Sequence, residues 1–415
     1  MATTVESPGT RSPEAFSRLG RLAARSLWML LVFLCLALIV DLLRLGGCGY
    51  LAFALAGSLV VHWHERRRVR EMVWAIGFGA AYWIAYLVMG GAFHGYVGWW
   101  AGTAAGFAGL GSLQVLFVGG MATQGRQREE ICATLKRAGL VPALCAASLL
   151  AVAFGVKIAP HTWDYTLYAF DRLLGVDTFV LGRAFLRMPA LFNACAVVYN
   201  VLPLYICVTL MAAQAHGKWR TATTMAITLG TAGFLAYQIC PATGPLYSFS
   251  GLFPWKLPSL TTLAAGPAAT PDGLRNAMPS LHVGFALLCY WILSPMGRWL
   301  RAGALVYLAI TSLATVGFGE HYFIDLVVAA PLALAVYGGW AEANLNQRLA
   351  VASAGALTTI LWLAALRMGT TLWSREFGWT AVLATLVGTV VIKTWLDAQA
   401  ASAQVRLCEL TDSSS

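Results

Sequence analysis

Residues 319–340, GEHYFIDLVVAAPLALAVYGGW, decide what kind of protein this chain is. From Tyr322 to Trp340 the segment carries one charged side chain, Asp325, in an otherwise apolar run. A helix of that length, at about 1.5 Å per residue, covers most of the ~30 Å hydrocarbon core of a bilayer. Similar apolar runs recur along the whole chain, so the sequence predicts an all-α, polytopic integral membrane protein.

The composition agrees with a membrane protein and excludes an ordinary soluble domain. Hydrophobic residues make up 59% of the chain and charged residues 11%, whereas soluble domains have ~45–50% and ~25%. The net charge of +10 does not predict nucleic-acid binding, because the basic residues form short clusters between apolar runs. The nine cysteines include no CxxC pair, and most lie within apolar runs, which is typical of small core residues.

Hydropathy predicts about twelve transmembrane helices. Five regions follow from them: a disordered basic N-terminus at 1–26, about four helices within 27–138, a catalytic core of about six helices at 139–345, two C-terminal helices within 346–400 and a tail at 401–415. The predicted spans are 27–43, 48–63, 72–92, 96–121, 139–159, 190–214, 221–240, 279–295, 302–319, 322–340, 350–366 and 377–396.

The distribution of basic residues predicts the orientation in the membrane. With both termini in the cytoplasm, about 19 of the 28 Lys and Arg residues fall on the cytoplasmic side, as the positive-inside rule expects. The long loops 160–189 and 241–278 are then predicted to face the periplasm of a bacterial inner membrane, or else the lumen of an internal membrane. The first is rich in aromatic and acidic residues and is predicted to form an amphipathic surface helix or lid.

Two motifs on the same membrane face carry the chemistry. Pro279-Ser280-Leu281-His282 begins a helix, where free backbone N–H groups can bind an anion. His321 and Asp325 are four residues apart, on one helical face, so a carboxylate can orient an imidazole as a nucleophile or base. An acid must protonate the departing oxygen, and either histidine can take either role. A purely structural His–Asp pair is the alternative reading.

These motifs resemble the type 2 phosphatidic acid phosphatase superfamily, and within it the branch of the inositol phosphorylceramide and sphingomyelin synthases. The resemblance implies a six-helix core in which His321 forms a phosphohistidine, Asp325 orients it, and His282 protonates the leaving group. Residues 170–175 and 240–245 also look like this branch. The chain departs from the phosphatases of the family, because Thr315 stands where they carry an arginine and 241–245 lacks their basic motif.

The departures favour a lipid phosphotransferase over a lipid phosphate phosphatase, with a non-catalytic lipid-binding or transport protein as a third hypothesis. The expected partners are the membrane, a phospholipid or lipid phosphate, and an alcohol or water acceptor. Phosphate oxygens need donors, for which the candidates are Arg275, Asn276, Ser280, Lys256 and Tyr322, with Arg183 and Arg187 as further cations. No metal and no cofactor are predicted, so activity is expected to persist in a chelator.

Overall fold

The computed structural model describes residues 48–88, 97–258, 268–269, 273–371 and 373–412. The predicted N-terminal segment 1–26 and the first predicted span 27–43 lie outside the described residues.

Helices dominate the described chain. The first four are α1 (Cys48–Arg66), α2 (Val69–Val88), α3 (Val97–Ala122) and α4 (Gly125–Ile158). The central part holds α5 (Asp164–Leu174), α6 (Thr178–Arg187), α7 (Pro189–Asn200), α8 (Leu202–Ala215), α9 (Trp219–Ile239) and the single turn α10 (Pro245–Ser248). Then come α11 (Leu281–Leu293) with a 3₁₀ turn (Ser294–Met296), α12 (Arg298–Gly317), α13 (Phe323–Trp340), α14 (Leu345–Arg367) and α15 (Arg375–Asp412). Two short strands, β1 (His161–Thr162) and β2 (Ala268–Ala269), pair antiparallel.

Seven of the described helices are long and apolar enough to cross a membrane, or eight if the bent pair α6 and α7 is one span. This agrees with the predicted all-α integral membrane protein. The predicted count of about twelve spans is not confirmed. Part of the difference lies in α8 and α11, which are apolar but shorter than a full crossing.

Proline breaks explain where the helix boundaries depart from the prediction. The predicted span 190–214 is two helices, α7 and α8, which are separated at Val201, and Pro203 lies in the first turn of α8. Pro189 likewise begins α7, which is bent by 112° from α6. Proline has no N–H to donate and suits the first turn of a helix, so a new helix starts at each position.

Helix α5 lies in the protein interior, which corrects its interpretation as a surface helix or lid. Leu167 and Phe170 are fully buried, and they belong to a hydrophobic cluster with Ile324 of α13 and Trp362 of α14. Trp379 of α15 donates from its indole nitrogen to the Leu174 carbonyl, at 2.9 Å. The helix is amphipathic, as predicted, but its apolar face packs against other helices.

Glycines bring α1 close to its neighbours. A Cβ atom at Gly109 of α3 would lie 1.7 Å from the Leu55 carbonyl oxygen, and one at Gly57 of α1 would lie 2.3 Å from the Cys207 sulfur of α8. Small residues of this kind let membrane helices approach to backbone contact. Helix α1 is therefore fixed tightly against both the N-terminal helices and the central part of the chain.

Candidate active site

His321 lies in the turn between α12 and α13. Gly319 has a φ of +73° and Phe253 packs where its Cβ would be, so glycine suits this turn best. Asp325, in the first turn of α13, folds back and its Oδ2 accepts from the Tyr322 N–H at 2.8 Å. This local cap places the same Oδ2 3.4 Å from Nδ1 of His321.

The closest acceptor of His321 is a main-chain carbonyl. Its Nδ1 is 2.8 Å from the Ala277 oxygen, which is closer than the carboxylate of Asp325. A carbonyl oxygen can only accept, so Nδ1 carries the proton and Nε2 holds the lone pair of the neutral ring. Burial lowers the pKa of His321 to about 4, although the charge of Glu320 and the Ala277 contact act to raise it.

His282 lies beside His321 at the start of α11. The two ring centroids are 6.0 Å apart. Ser280 caps α11 with its hydroxyl, which accepts from the Val283 N–H at 3.4 Å. The Ser280 N–H in turn donates to the main-chain oxygen of Asp325, at 3.1 Å. The two helix starts that carry the histidines are thus joined directly, and the structure brings together the three residues that the sequence predicted as catalytic.

Two tyrosines that the sequence analysis missed surround His282. The Tyr50 hydroxyl of α1 is 2.9 Å from Nε2, and the Tyr199 hydroxyl of α7 is 3.4 Å from Nδ1. The ring of Tyr199 also stacks on the imidazole, with centroids 4.1 Å apart. Both tyrosines sit in apolar runs, where a tyrosine is common in packing, so no local signal marks them.

Glu320 is a further ionisable residue at this place. Its Oε1 accepts from the Tyr247 hydroxyl at 3.2 Å. Burial raises the pKa of Glu320, while the neighbouring His321 acts to lower it. The residue precedes the His-Tyr-x-x-Asp motif directly, and that adjacency was the only signal for it in the sequence.

The predicted phosphate-binding residues lie in different environments. Arg275 is 3% exposed, and its guanidinium donates to the carbonyls of Ala159 at 3.1 Å and Gly273 at 2.6 Å. It therefore fastens the end of α4 to the loop before α11, and a role in phosphate binding stays a prediction. Tyr322 is fully buried and donates its hydroxyl to Asp164 at 3.0 Å. Asn276, Arg183 and Ser280 are half-buried or buried, whereas Lys256 and Arg187 are exposed.

Two buried carboxylates of α5 hold the loops that form the site. Asp164 accepts from the N–H groups of Thr243, at 3.1 Å, and Gly244, at 2.9 Å. Asp171, two turns further on, accepts from the N–H groups of Phe323 at 2.7 Å and Ile324 at 3.1 Å. Burial raises the pKa of Asp171, and the two backbone N–H bonds offset only part of this rise. Asp171 caps α13 from another helix, next to His321 and Asp325.

Part of the chain matches a known protein family. Residues 165–339 match the family model described as the PAP2 superfamily. The matched stretch runs from α5 to α13 and contains His282, His321 and Asp325, while α1 to α4 and α14 to α15 lie outside it. No curated protein and no solved structure matches the chain.

Proposed function

We propose that this protein is a membrane-embedded lipid phosphotransferase that works through a phosphohistidine on His321. The observation that carries the proposal is the meeting of two imidazoles, with centroids 6.0 Å apart, at two linked helix starts. One imidazole has its Nδ1 proton fixed by a carbonyl, which leaves Nε2 as the nucleophilic atom. The match of residues 165–339 to the PAP2 superfamily supports the same class of reaction.

The reaction has two halves. In the first, Nε2 of His321 attacks the phosphorus of the donor lipid, the bond from phosphorus to the leaving oxygen breaks, and a proton supplied from His282 neutralises that oxygen. In the second, an acceptor hydroxyl loses its proton towards His282 and attacks the same phosphorus, and the P–N bond breaks. Asp325, 3.4 Å from Nδ1 of His321, stabilises the positive charge that the ring gains.

The burial of the site favours an alcohol over water as the acceptor. His321 is 2% exposed, and the His282 ring is enclosed by Tyr50 and Tyr199. An enclosed site protects a reactive intermediate from hydrolysis. A lipid phosphate phosphatase is the competing function, and it would use the same residues with water as the second substrate.

The active site is proposed to face the periplasm of a bacterial inner membrane, with both termini in the cytoplasm. Helix α1 begins beside His282 and ends at the basic cluster 66–70, about 24 Å away along its axis at 1.5 Å per residue. Lys218, Arg298 and Arg348 also lie at helix ends that are remote from the histidines. Basic residues concentrate on the cytoplasmic side, so the site belongs on the other one.

The test uses the purified full-length protein and phospholipids that carry ³²P in the headgroup. We expect label to move to an added alcohol, with inorganic phosphate or a free headgroup phosphate formed slowly in its absence. A trapped phosphoenzyme should be labile to acid and stable to base, as a P–N bond is. His321→Ala should abolish both signals, and His216→Ala, an exposed histidine bonded to the Ala212 carbonyl, should not. Full turnover by His321→Ala would exclude His321 as the nucleophile. Efficient phosphate release without an added alcohol would favour the phosphatase.

A further inference from the structure

Tyr50 reaches the site from a helix outside the matched family region. It lies in the first turn of α1, and its hydroxyl is 2.9 Å from Nε2 of His282. Its ring is 5.2 Å from the imidazole and 5.9 Å from the ring of Tyr199, measured between centroids. Because Gly109 of α3 lies against the Leu55 backbone of α1, and Gly57 of α1 packs on the Cys207 side chain of α8, this hydroxyl is held in place and does not belong to a loose surface segment.

We propose that Tyr50 is a catalytic residue of the transfer reaction, whose hydroxyl passes the proton between His282 and the oxygen that leaves or enters at phosphorus. This inference rests on the proposed function and adds a residue and an element to it. It assigns to α1 a chemical role that the spacing of the histidine motifs does not indicate.

The surroundings of His282 leave Nε2 as the nitrogen that exchanges protons. Tyr199 stacks on the ring and its hydroxyl is within 3.4 Å of Nδ1, so that side of the imidazole faces a tyrosine that also covers one ring face. Nε2 makes the shorter contact, at 2.9 Å from the Tyr50 oxygen, and this distance assigns proton exchange to Nε2. A hydroxyl can donate one proton while it accepts another. A proton that leaves Nε2 therefore reaches the substrate by way of Tyr50.

The relay balances in both halves of the reaction. When the donor bond to phosphorus breaks, the Tyr50 hydroxyl gives its proton to the departing oxygen and takes one from Nε2–H of the His282 imidazolium, which becomes neutral. When the acceptor attacks, its hydroxyl proton goes to the Tyr50 oxygen and the Tyr50 proton goes to Nε2. The P–N bond breaks, its electron pair returns to His321, and both tyrosine and histidines end as they began.

The experiment compares two donors that share the phosphoryl group and differ in the leaving oxygen. An alkyl phosphodiester needs its leaving alkoxide protonated, whereas a nitrophenyl diester releases a stable phenolate without help. Tyr50→Phe should lower single-turnover release from the alkyl donor by ~10²-fold, as removal of a general acid does, and release from the nitrophenyl donor by less than ~3-fold. Tyr337→Phe is the matched control, because its hydroxyl bonds Asp397 near the other end of α13.

Each outcome decides the inference. Equal losses of Tyr50→Phe on both donors would mean that the hydroxyl only positions His282, and wild-type rates on both would mean that the hydroxyl is idle; either overturns the relay. In both cases an inactive His321→Ala variant would leave the proposed function standing. If the wild-type protein turns over neither donor and His321→Ala does not differ from it, the proposed function fails first.

Discussion

In the proposed mechanism, three features of its surroundings prepare His321 to act as the nucleophile. The Ala277 carbonyl fixes the tautomer, Asp325 lies ready to balance the charge of the phosphorylated ring, and burial keeps the free ring neutral. A neutral imidazole is the form that attacks phosphorus. A histidine with an ordinary pKa near 6.5 is partly protonated in mildly acidic medium, whereas the pKa of about 4 keeps the ring of His321 neutral there.

The pH dependence of phosphoenzyme formation tests this point. Because burial lowers the pKa of His321 to about 4, the acidic limb of kcat/KM for a nitrophenyl diester should lie well below pH 6.5. The donor is a diester, so it does not titrate in this range. Glu320→Gln removes a charge that favours the imidazolium, and it should move the limb to lower pH. A limb at pH 6.5 or above in the wild-type protein would contradict the prediction.

The same pKa sets the direction in which this residue affects stability. Between pH 6.5 and about 4 the unfolded chain binds a proton at His321 that the folded protein does not bind. The contribution of His321 is therefore fully favourable above pH 6.5 and is lost as the pH falls towards 4. Mild acid should weaken the fold before it protonates the nucleophile.

The residue spacing in the sequence predicts the three central side chains but not their partners. His321 and Asp325 are related by a helical turn, so their proximity is local. The Ala277 carbonyl, Tyr50 and Tyr199 come from 44, 232 and 83 residues away from the histidine that each contacts. Such contacts depend on how helices pack, and a single sequence holds no rule for that packing. For the same reason, the sequence did not indicate that the guanidinium of Arg275, predicted to bind phosphate, donates to the Ala159 and Gly273 carbonyls.

Among the elements, α5 organises the site without providing any reacting atom. Its two carboxylates, Asp164 and Asp171, bind backbone N–H groups of the loop before α10 and of the start of α13. A carboxylate that accepts N–H bonds at a helix start also interacts favourably with the helix dipole. Helix α5 thus fixes the position of His321 relative to the loop that faces it.

Asp171→Asn should therefore lower kcat through misplacement of His321. The asparagine amide has one oxygen where the carboxylate has two, so the N–H of either Phe323 or Ile324 loses its acceptor. We expect kcat to fall by ~10-fold or more with little change in KM, since small displacements in an active site are costly. Circular dichroism and a thermal melt in detergent would report the folded fraction, so that kcat is expressed per folded molecule.

Asp177→Asn provides the matched control. Asp177 caps its own helix α6, accepting from the Phe179 N–H at 2.9 Å, and it also binds Arg172 at 2.5 Å. Helix α6 carries none of His282, His321 and Asp325. Asparagine is about as good a helix cap as aspartate, so both variants should stay folded with only a small loss of stability. Only Asp171→Asn should lower kcat, and an equal kcat in the two variants would reduce Asp171 to a structural cap.

Hydropathy predicts that most of these helices exist but not how they bend or what they face. The apolar run 190–214 has no polar interruption, and a hydropathy average does not register that Pro203 begins a second helix. The aromatic side chains of α5 would suit a lipid interface or a protein core equally well, since both are apolar. The choice between them is made by α13, α14 and α15, which pack around α5 in the structure.

In the whole molecule, ionisable side chains cluster at two opposite ends of α1, and the two clusters differ in kind. The end of α1 and the start of α2 carry a dense set of ion pairs, in which Glu71 binds Arg66 at 2.7 Å and His62 at 3.1 Å, and Glu65 binds Arg137. The histidine pair occupies the other end, beside the first turn of α1. Partly buried charges at a membrane boundary tend to be paired or functional. Those at the basic end are paired, and those beside the histidines belong to the proposed active site.

The positions of the two clusters predict from which side of the membrane a cysteine near each of them can be labelled. Lys256, exposed in the loop after α10, lies near the site, because Phe253 in the same loop packs against Gly319. Arg70, exposed at the start of α2, lies at the basic end. Lys256→Cys should react with a membrane-impermeant maleimide in spheroplasts, and Arg70→Cys only in inverted vesicles, because basic clusters remain in the cytoplasm. The wild-type protein gives the background, and its Cys132, Cys145, Cys195, Cys207, Cys240 and Cys289 are buried or half-buried. The reverse pattern would place the phosphotransfer site in the cytoplasm, where its donor lipid would have to come from the inner leaflet.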